Sequence, residues 1–169
     1  MKKNLNNVLL LLVLFLSTTV FFSCSKDDGG GEREPVIGSA GMFVLNEGSY
    51  FYGVNGSLSY IDYGSNTLTD GLFALANNRT LGGTPNDMAL GDGLLVICCT
   101  DENRVEVVNA TTFRSLQSFE VKKPRCVCIV GQGFYVSSLE GTVTYFSFDG
   151  KQRVESSNLG GNLECIAYF

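Results

Sequence analysis

The stretch TPNDMALGDGLLVICCTDENRVEVVNA, Thr84 to Ala110, decides the fold. Asp87 to Leu90 is a short, mostly apolar run that ends at Gly91-Asp92-Gly93, residues able to supply the positive φ of a tight turn. Leu94 to Cys99 is unbroken aliphatic and β-branched sequence, the composition of a strand covered on both faces. Arg104 to Asn109 alternates apolar with polar, and LQSFEV after it does so more weakly, as outer strands do. The unit is four antiparallel strands.

Working outward, the same order recurs. KPRCVCIVGQG, from Lys123, repeats the proline, the short strand and the glycine turn, so that Pro85 returns as Pro124. GNLECIAYF, from Gly161, opens a further copy at nearly the same interval, with Asn162 in place of the proline. GMFVLNEG from Gly41 and GFYVSSLEG from Gly133 match GLLVICCTDEN from Gly93, and each precedes an alternating run, GSLSYID and GTVTYFSFDG for the first two. A fixed period of this kind, roughly 40 residues, marks a repeat architecture. Four-stranded sheets with apolar inner strands stack around an axis as propeller blades, whereas a β-sandwich would not require the spacing. The expected fold is all-β: a β-propeller fragment of about three blades plus the first strand of a fourth, over residues 40–169. GLFALANN, from Gly71, is the nearest approach to a helix and is short.

The N-terminus carries a different signal. Lys2 and Lys3 precede Val8 to Leu16, an apolar run well short of the roughly 20 residues needed to cross a bilayer. Residues 1–23 therefore read as a secretory signal peptide. VFFSC resembles a bacterial lipobox, with Phe21 where Leu is usual, so Cys24 is the expected site of lipidation. SKDDGGGEREP follows. Its opening resembles the short acidic signal that sends lipoproteins to the outer face of an outer membrane, and its glycines and charges suit a flexible tether over residues 24–39. Without the signal, and so without Lys2 and Lys3, the chain is more acidic still, because all 17 Asp+Glu remain. That acidity argues against nucleic acid as a partner, and leaves membrane attachment to the lipid.

Five cysteines remain: Cys98, Cys99, Cys126, Cys128 and Cys165. None has zinc-ligand spacing, and all lie in strand-like apolar runs. Core packing is one reading; a bond from Cys98 or Cys99 to Cys126 or Cys128 is the other. The chain has no His, which removes His-based triads, His zinc ligands and a protein imidazole on a metal. No phosphate-binding glycine fingerprint is present, so no cofactor is expected. Asp87, Cys126 and Glu164 fall at equivalent places where successive inner strands begin.

Loop lengths point to a recognition surface. With blade strands lettered A to D from the axis outward, B–C and D–A connections leave on one face, and A–B and C–D turns on the other. The step from Val44 to Leu58 is half as long again as Val96–Val105 and twice as long as Val136–Val143, the matching steps of the later blades. Leu58 to Pro85 likewise exceeds Val105–Pro124 and Val143–Asn162, which equal each other. The first blade thus carries two insertions, both expected on one rim. They bring Asn46, Glu47, Tyr50, Phe51, Tyr52 and Asn55, then Phe73, Asn77, Asn78 and Arg79. Long loops on a rigid scaffold commonly bind, and Tyr, Asn and Arg make large contacts at modest entropic cost. Alternatively, these aromatics only cap the apolar end of an unclosed blade.

GMFVLNEGSYFYGVNGSLSYID together with GLFALANNRTLGGTPNDM resembles the opening of YncE-like, DUF5074-type β-propeller lipoproteins of Bacteroides-type bacteria. The resemblance runs from Gly41 to Phe169 and rests on the NEG…NGSLSYID and AN-x-R-x-LG elements. It implies a surface-exposed outer-membrane lipoprotein, related to BtuG-type proteins that capture cobalamin and hand it to a TonB-dependent transporter. Such rings have seven blades, so the resemblance also implies a truncated product, part of a longer chain, or half of a split propeller. A small-ligand binder, with a corrinoid as candidate ligand, is the leading expectation, and not an enzyme. A propeller enzyme, either a lyase or a quinone-dependent dehydrogenase, and an adhesion or protein-interaction scaffold are the alternatives.

Overall fold

The computed structural model describes residues 40–169. The signal peptide, Cys24 and the tether lie outside the described residues.

Among the described residues, eleven strands form three antiparallel sheets, and one short helix accompanies them. The first holds β1 (Gly41–Asn46), β2 (Ser57–Asp62) and β3 (Thr67–Thr69), in that order. The helix α1 (Leu72–Asn77) follows. The second sheet is a meander of β4 (Pro85–Gly91), β5 (Leu94–Cys99), β6 (Arg104–Asn109) and β7 (Ser115–Glu120). The third repeats it with β8 (Pro124–Val130), β9 (Gly133–Ser138), β10 (Val143–Ser147) and β11 (Arg153–Glu155). The turns are those the composition predicts: Asp92 and Gly93 close β4 onto β5 with φ of 50° and 74°.

Side-chain alternation turns these sheets into blades. Along β5, Leu95, Ile97 and Cys99 enter one core with Leu58, Tyr60, Phe73 and Val108, between the first and second sheets. Val96 and Cys98 point the other way, into a second core with Val127, Phe134, Val136 and Phe146, between the second and third. A strand buried on both faces is what the run LLVICC predicts. The innermost strands β4 and β8 converge, as the walls of a propeller channel do. The register repeats as well: Asp87 sits opposite Cys98 as Cys126 sits opposite Ser137, with a bulge after Pro85 and after Pro124. These are three successive blades of a β-propeller.

The expected first strand of a fourth blade takes a qualified form. Residues 162–169 adopt no regular strand, because they have no ladder partner among the described residues. They nevertheless run beside β8 with the blade-to-blade relation intact. The Val127 N–H donates to Asp87 Oδ2 at 2.8 Å, and one repeat further on the Ile166 N–H donates to the Cys126 thiol. That relation makes Cys165, not Glu164, the counterpart of Cys126. Glu164 instead pairs with Arg125 at 2.7 Å.

The five cysteines are free thiols. Cys98 and Cys99 are fully buried on opposite faces of β5, Cys126 and Cys128 are half-buried, and Cys165 is exposed. Burial pushes the Cys98 thiol well up and the Cys99 thiol to about 12, so both stay protonated and unreactive at neutral pH. Cys126 is also raised to about 12, by burial first and then by its hydrogen bond to Asp87.

Candidate functional site

The B–C and D–A connections share one rim, tied by backbone hydrogen bonds. Gly56 N–H donates to Gly82 O at 2.9 Å, Thr100 N–H to Thr84 O at 3.1 Å, and Val121 N–H to Asn103 O at 3.1 Å. The opposite rim is stitched in the same way by Ala110 N–H to Gly93 O and Phe148 N–H to Gln132 O.

The first insertion is a small hairpin on the upper rim. Ser49 and Val54 exchange two backbone hydrogen bonds, of 2.9 and 3.0 Å, around a turn that reaches Gly53 at φ 63°. Its base has no slack. A Cβ on Gly56 would meet Pro85 of the next blade at 2.2 Å, so only glycine lets the loop lie against that strand. Glu47 Oε1 accepts from Asn86 Nδ2 at 3.1 Å. Asn46 Nδ2 donates to the hydroxyls of Ser57 and Ser59 at 3.0 and 2.9 Å, and both hydroxyls donate to Asp70 Oδ1. Hydrogen bonds from Ser59, from the Gly71 N–H and from Ser57 hold the Asp70 carboxyl below the usual carboxylate range. From this base project Tyr50, Phe51 and Tyr52, which are 74%, 91% and 86% exposed, with Asn55 exposed beside them. The Tyr50 and Phe51 rings meet edge to face at 5.8 Å.

The second insertion departs from expectation. It leaves and rejoins the upper rim, at Asp70 and at Gly82–Thr84, but between these points it descends between the first two blades. Leu72, Phe73 and Leu81 are buried in the core there. Asn77 reaches the turn between β6 and β7, on the far rim: its Nδ2 donates to Phe113 O and its Oδ1 accepts from the Ser115 N–H, each at 2.8 Å. Asn78 ends the helix at φ 52°, its N–H on Ala74 O. Arg79 climbs back, its guanidinium 4.8 Å from the Phe73 ring and 2.9 Å from the fully buried Glu106. Arg104 Nε reaches the same Glu106 oxygen at 2.6 Å, and Ser115 donates to the other at 2.7 Å.

The eight expected site residues therefore divide. Asn46, Glu47, Tyr50, Tyr52 and Asn55 stand together on the upper rim, whereas Asn77, Asn78 and Arg79 do not join them. Leu72, Phe73 and Leu81 drive that separation, because burying them carries the intervening chain inward. Two polar features of the rim escaped the sequence reading. Thr84 and Lys123 both bond Asp101, the latter at 3.1 Å, and the Thr84 hydroxyl, followed by Lys123, lowers the Asp101 pKa. A cleft of about 420 Å³ opens between the second and third blades, with Lys122, Glu140, Arg153 and Glu155 in its wall. Its residues come from separate segments with no motif, so no sequence signal marks it. Among the described residues no three His, Cys, Asp or Glu side chains are grouped to hold a metal ion.

A model of DUF5074, a domain of unknown function, matches residues 40–150. The chain belongs to this family. The match places the three-stranded first sheet with its hairpin, α1, the four-stranded second sheet and β8 to β10 of the third inside the DUF5074 domain, so the aromatic tip and the Asn77–Arg79 segment are both part of it. No curated protein matches the chain. Among solved structures it is similar to Kuenenia stuttgartiensis hydrazine synthase, at 16% identity and a TM-score of 0.49, over 62% of this chain and 31% of that one. It is also similar to a europium-containing methanol dehydrogenase, at 15% identity and a TM-score of 0.47, over 70% and 23%. Sqt1 of Saccharomyces cerevisiae is similar at 15% identity and a TM-score of 0.45, over 59% and 27%. This DUF5074 chain spans under a third of the length of each.

Proposed function

We propose that this DUF5074 protein is a surface lipoprotein that captures a small ligand with its upper rim and passes it to a TonB-dependent outer-membrane transporter. One observation carries the reading: three adjacent aromatic side chains stand in solvent on a hairpin whose base is locked by Gly56, Gly82 and the Asn46–Asp70 network. Exposed rings cost free energy in water, and a rigid base means that little order has to be gained on binding. Tyr50 and Tyr52 supply flat apolar faces with hydroxyl tips, and Asn46, Glu47 and Asn55 supply polar groups around them. Such a surface suits a ligand with a broad ring system and polar edges. A corrinoid has that chemistry, and it is the ligand class of the cobalamin-capturing proteins that the sequence resembles. We read the role as binding rather than catalysis; what supports this is the exposed aromatic tip, and the absence of His from the sequence counts against His-based acid–base chemistry.

Calorimetric titration of the full chain with cyanocobalamin tests this. Saturable binding in the micromolar range is expected, and Tyr52→Ala should weaken it by about ten-fold or more. Absence of saturable heat eliminates the corrinoid. For the anchor, Cys24→Ala should move the protein from the membrane fraction to the soluble one; unchanged fractionation refutes lipidation there.

A further inference from the structure

The two junctions between blades are built on one register and end differently. Ile97 and Val136 hold equivalent places and face the preceding blade, and their partners on the next strand are Glu106 and Thr144. At the first junction the connection of residues 70–84 descends past this position and brings Arg79 to Glu106. A second arginine, Arg104, reaches the same carboxylate from two residues earlier on β6, and Ser115 of the outermost strand adds a hydroxyl. A carboxylate this deeply buried needs such partners.

At the second junction carboxylate and hydroxyl change places. The buried Thr144 hydroxyl donates to Glu155 Oε2 at 3.2 Å, and Arg153, two residues earlier on β11, reaches the same oxygen at 3.4 Å. Glu155 thus has a counterpart of Arg104 but none of Arg79, because the connection between β7 and β8 is only residues 121–123 and is too short to descend. The cleft of about 420 Å³ opens there, between two blades that are both described. Its volume is that of a small-molecule site. Its wall sets the carboxylates of Glu120, Glu140 and Glu155 against the cations of Lys122 and Arg153. The Arg153–Glu155 pair is about half exposed, so it contributes little by itself, and a carboxylate can accept several further donors.

We propose that this cleft binds a small molecule carrying both a guanidinium or primary ammonium group and a carboxylate, the chemistry of a basic amino acid. The cation takes at Glu155 the part that Arg79 takes at Glu106, where the match of planar guanidinium to carboxylate favours arginine-like groups. The ligand's carboxylate meets Lys122. The site is separate from the aromatic hairpin and independent of the ligand reading for that rim.

Calorimetric titration of the full chain with L-arginine at low ionic strength is the test. Saturable binding with a Kd of about 1 mM or tighter is expected. L-citrulline, which has the same shape with a neutral end, should not bind. Glu155→Gln keeps an acceptor for Thr144 but removes the charge, and should raise the Kd about ten-fold or more. Lys122→Gln should weaken L-arginine by a similar factor and leave agmatine, which lacks the carboxylate, unaffected. Lys151→Gln removes the same charge from an exposed lysine on the opposite rim and should change nothing. Unchanged thermal melting would show that the variants fold. Absence of saturable heat, equal binding of L-citrulline, an unchanged L-arginine Kd in either cleft variant, or an equal loss in Lys151→Gln overturns the proposal; the last would mean that net charge, not this cleft, governs the binding.

Discussion

Between Glu47 and Gly56 the chain holds three aromatic rings in solvent; between Gly71 and Gly82 it buries Leu72, Phe73 and Leu81 and threads a polar ladder beside them. Both segments are insertions into the same blade, and both return to the same rim. The first is a short hairpin closed on itself by Ser49 and Val54, so its rings stay in solvent, with Tyr50 and Phe51 meeting only each other. The second is long enough to reach the gap between blades, where apolar side chains find a core and Asn77 and Arg79 find buried partners. Insertion length alone does not mark a binding loop. Here one insertion presents chemistry and the other fastens two repeats together, which repeat proteins require because each unit contacts only its neighbours.

The largest effect should come from the fastening segment. Phe73 is fully buried at the centre of the first inter-blade core, so Phe73→Ala should cost about 3–5 kcal/mol in denaturant unfolding. A loss below about 1 kcal/mol would mean that the helix merely rests on the blades. Asn77→Ala comes next. It strands the Phe113 carbonyl and the Ser115 N–H at the far rim, and the expected cost is about 1–3 kcal/mol. Ligand affinity should not change, and an Asn77→Ala variant of full stability but weakened binding would restore this residue to the recognition surface.

The blades themselves were legible. Proline, apolar run, glycine turn and alternation each have a local physical cause, and their return at a fixed interval is visible without coordinates. The path of the second insertion was not. Counting residues measures where a loop departs and rejoins, not what it does between. LFALANNRTL held a usable clue, since Leu72, Phe73 and Leu81 are too apolar for a solvated loop, but Asn77 and Arg79 look the same in sequence whether they meet a ligand or a buried carbonyl and Glu106. The partners that settle the matter, Phe113, Ser115 and Glu106, lie far along the chain in a different blade. The AN-x-R-x-LG element is thus a structural signature, with Asn77 on the far turn, Arg79 on Glu106, and Leu81 in the core.

A smaller effect separates the bases of the two segments by pH. Asp70 joins β2 to the start of α1, and folding lowers its pKa from the ordinary 3.8. Its contribution is therefore complete above that ordinary value and is lost as pH falls toward the lower folded value. Asp101, lowered by Thr84 and Lys123, acts in the same window on the upper rim. In Asp70→Asn, stability at neutral pH should fall slightly, and the further loss on acidification below the ordinary carboxylate range should shrink relative to the parent. An identical acid profile in the two proteins would show that Asp70 carries no pH-dependent share. Being exposed, this carboxyl is screened by solvent, so the difference should stay well below that of Phe73→Ala.

Tyr52→Ala should have the least effect on folding and the most on recognition. The side chain is 86% exposed, so truncating it removes almost no buried area and leaves no cavity, and stability should stay within about 0.5 kcal/mol. The same holds for Phe51, at 91%. If either substitution destabilised the chain by more than about 1 kcal/mol, the hairpin would be packed on something in solution, and the contrast with the second insertion would collapse. A second copy covering the rim would do this. It is distinguishable, because the loss would then depend on protein concentration. Unchanged stability at every concentration leaves the aromatic tip free, which a ligand-capturing loop has to be.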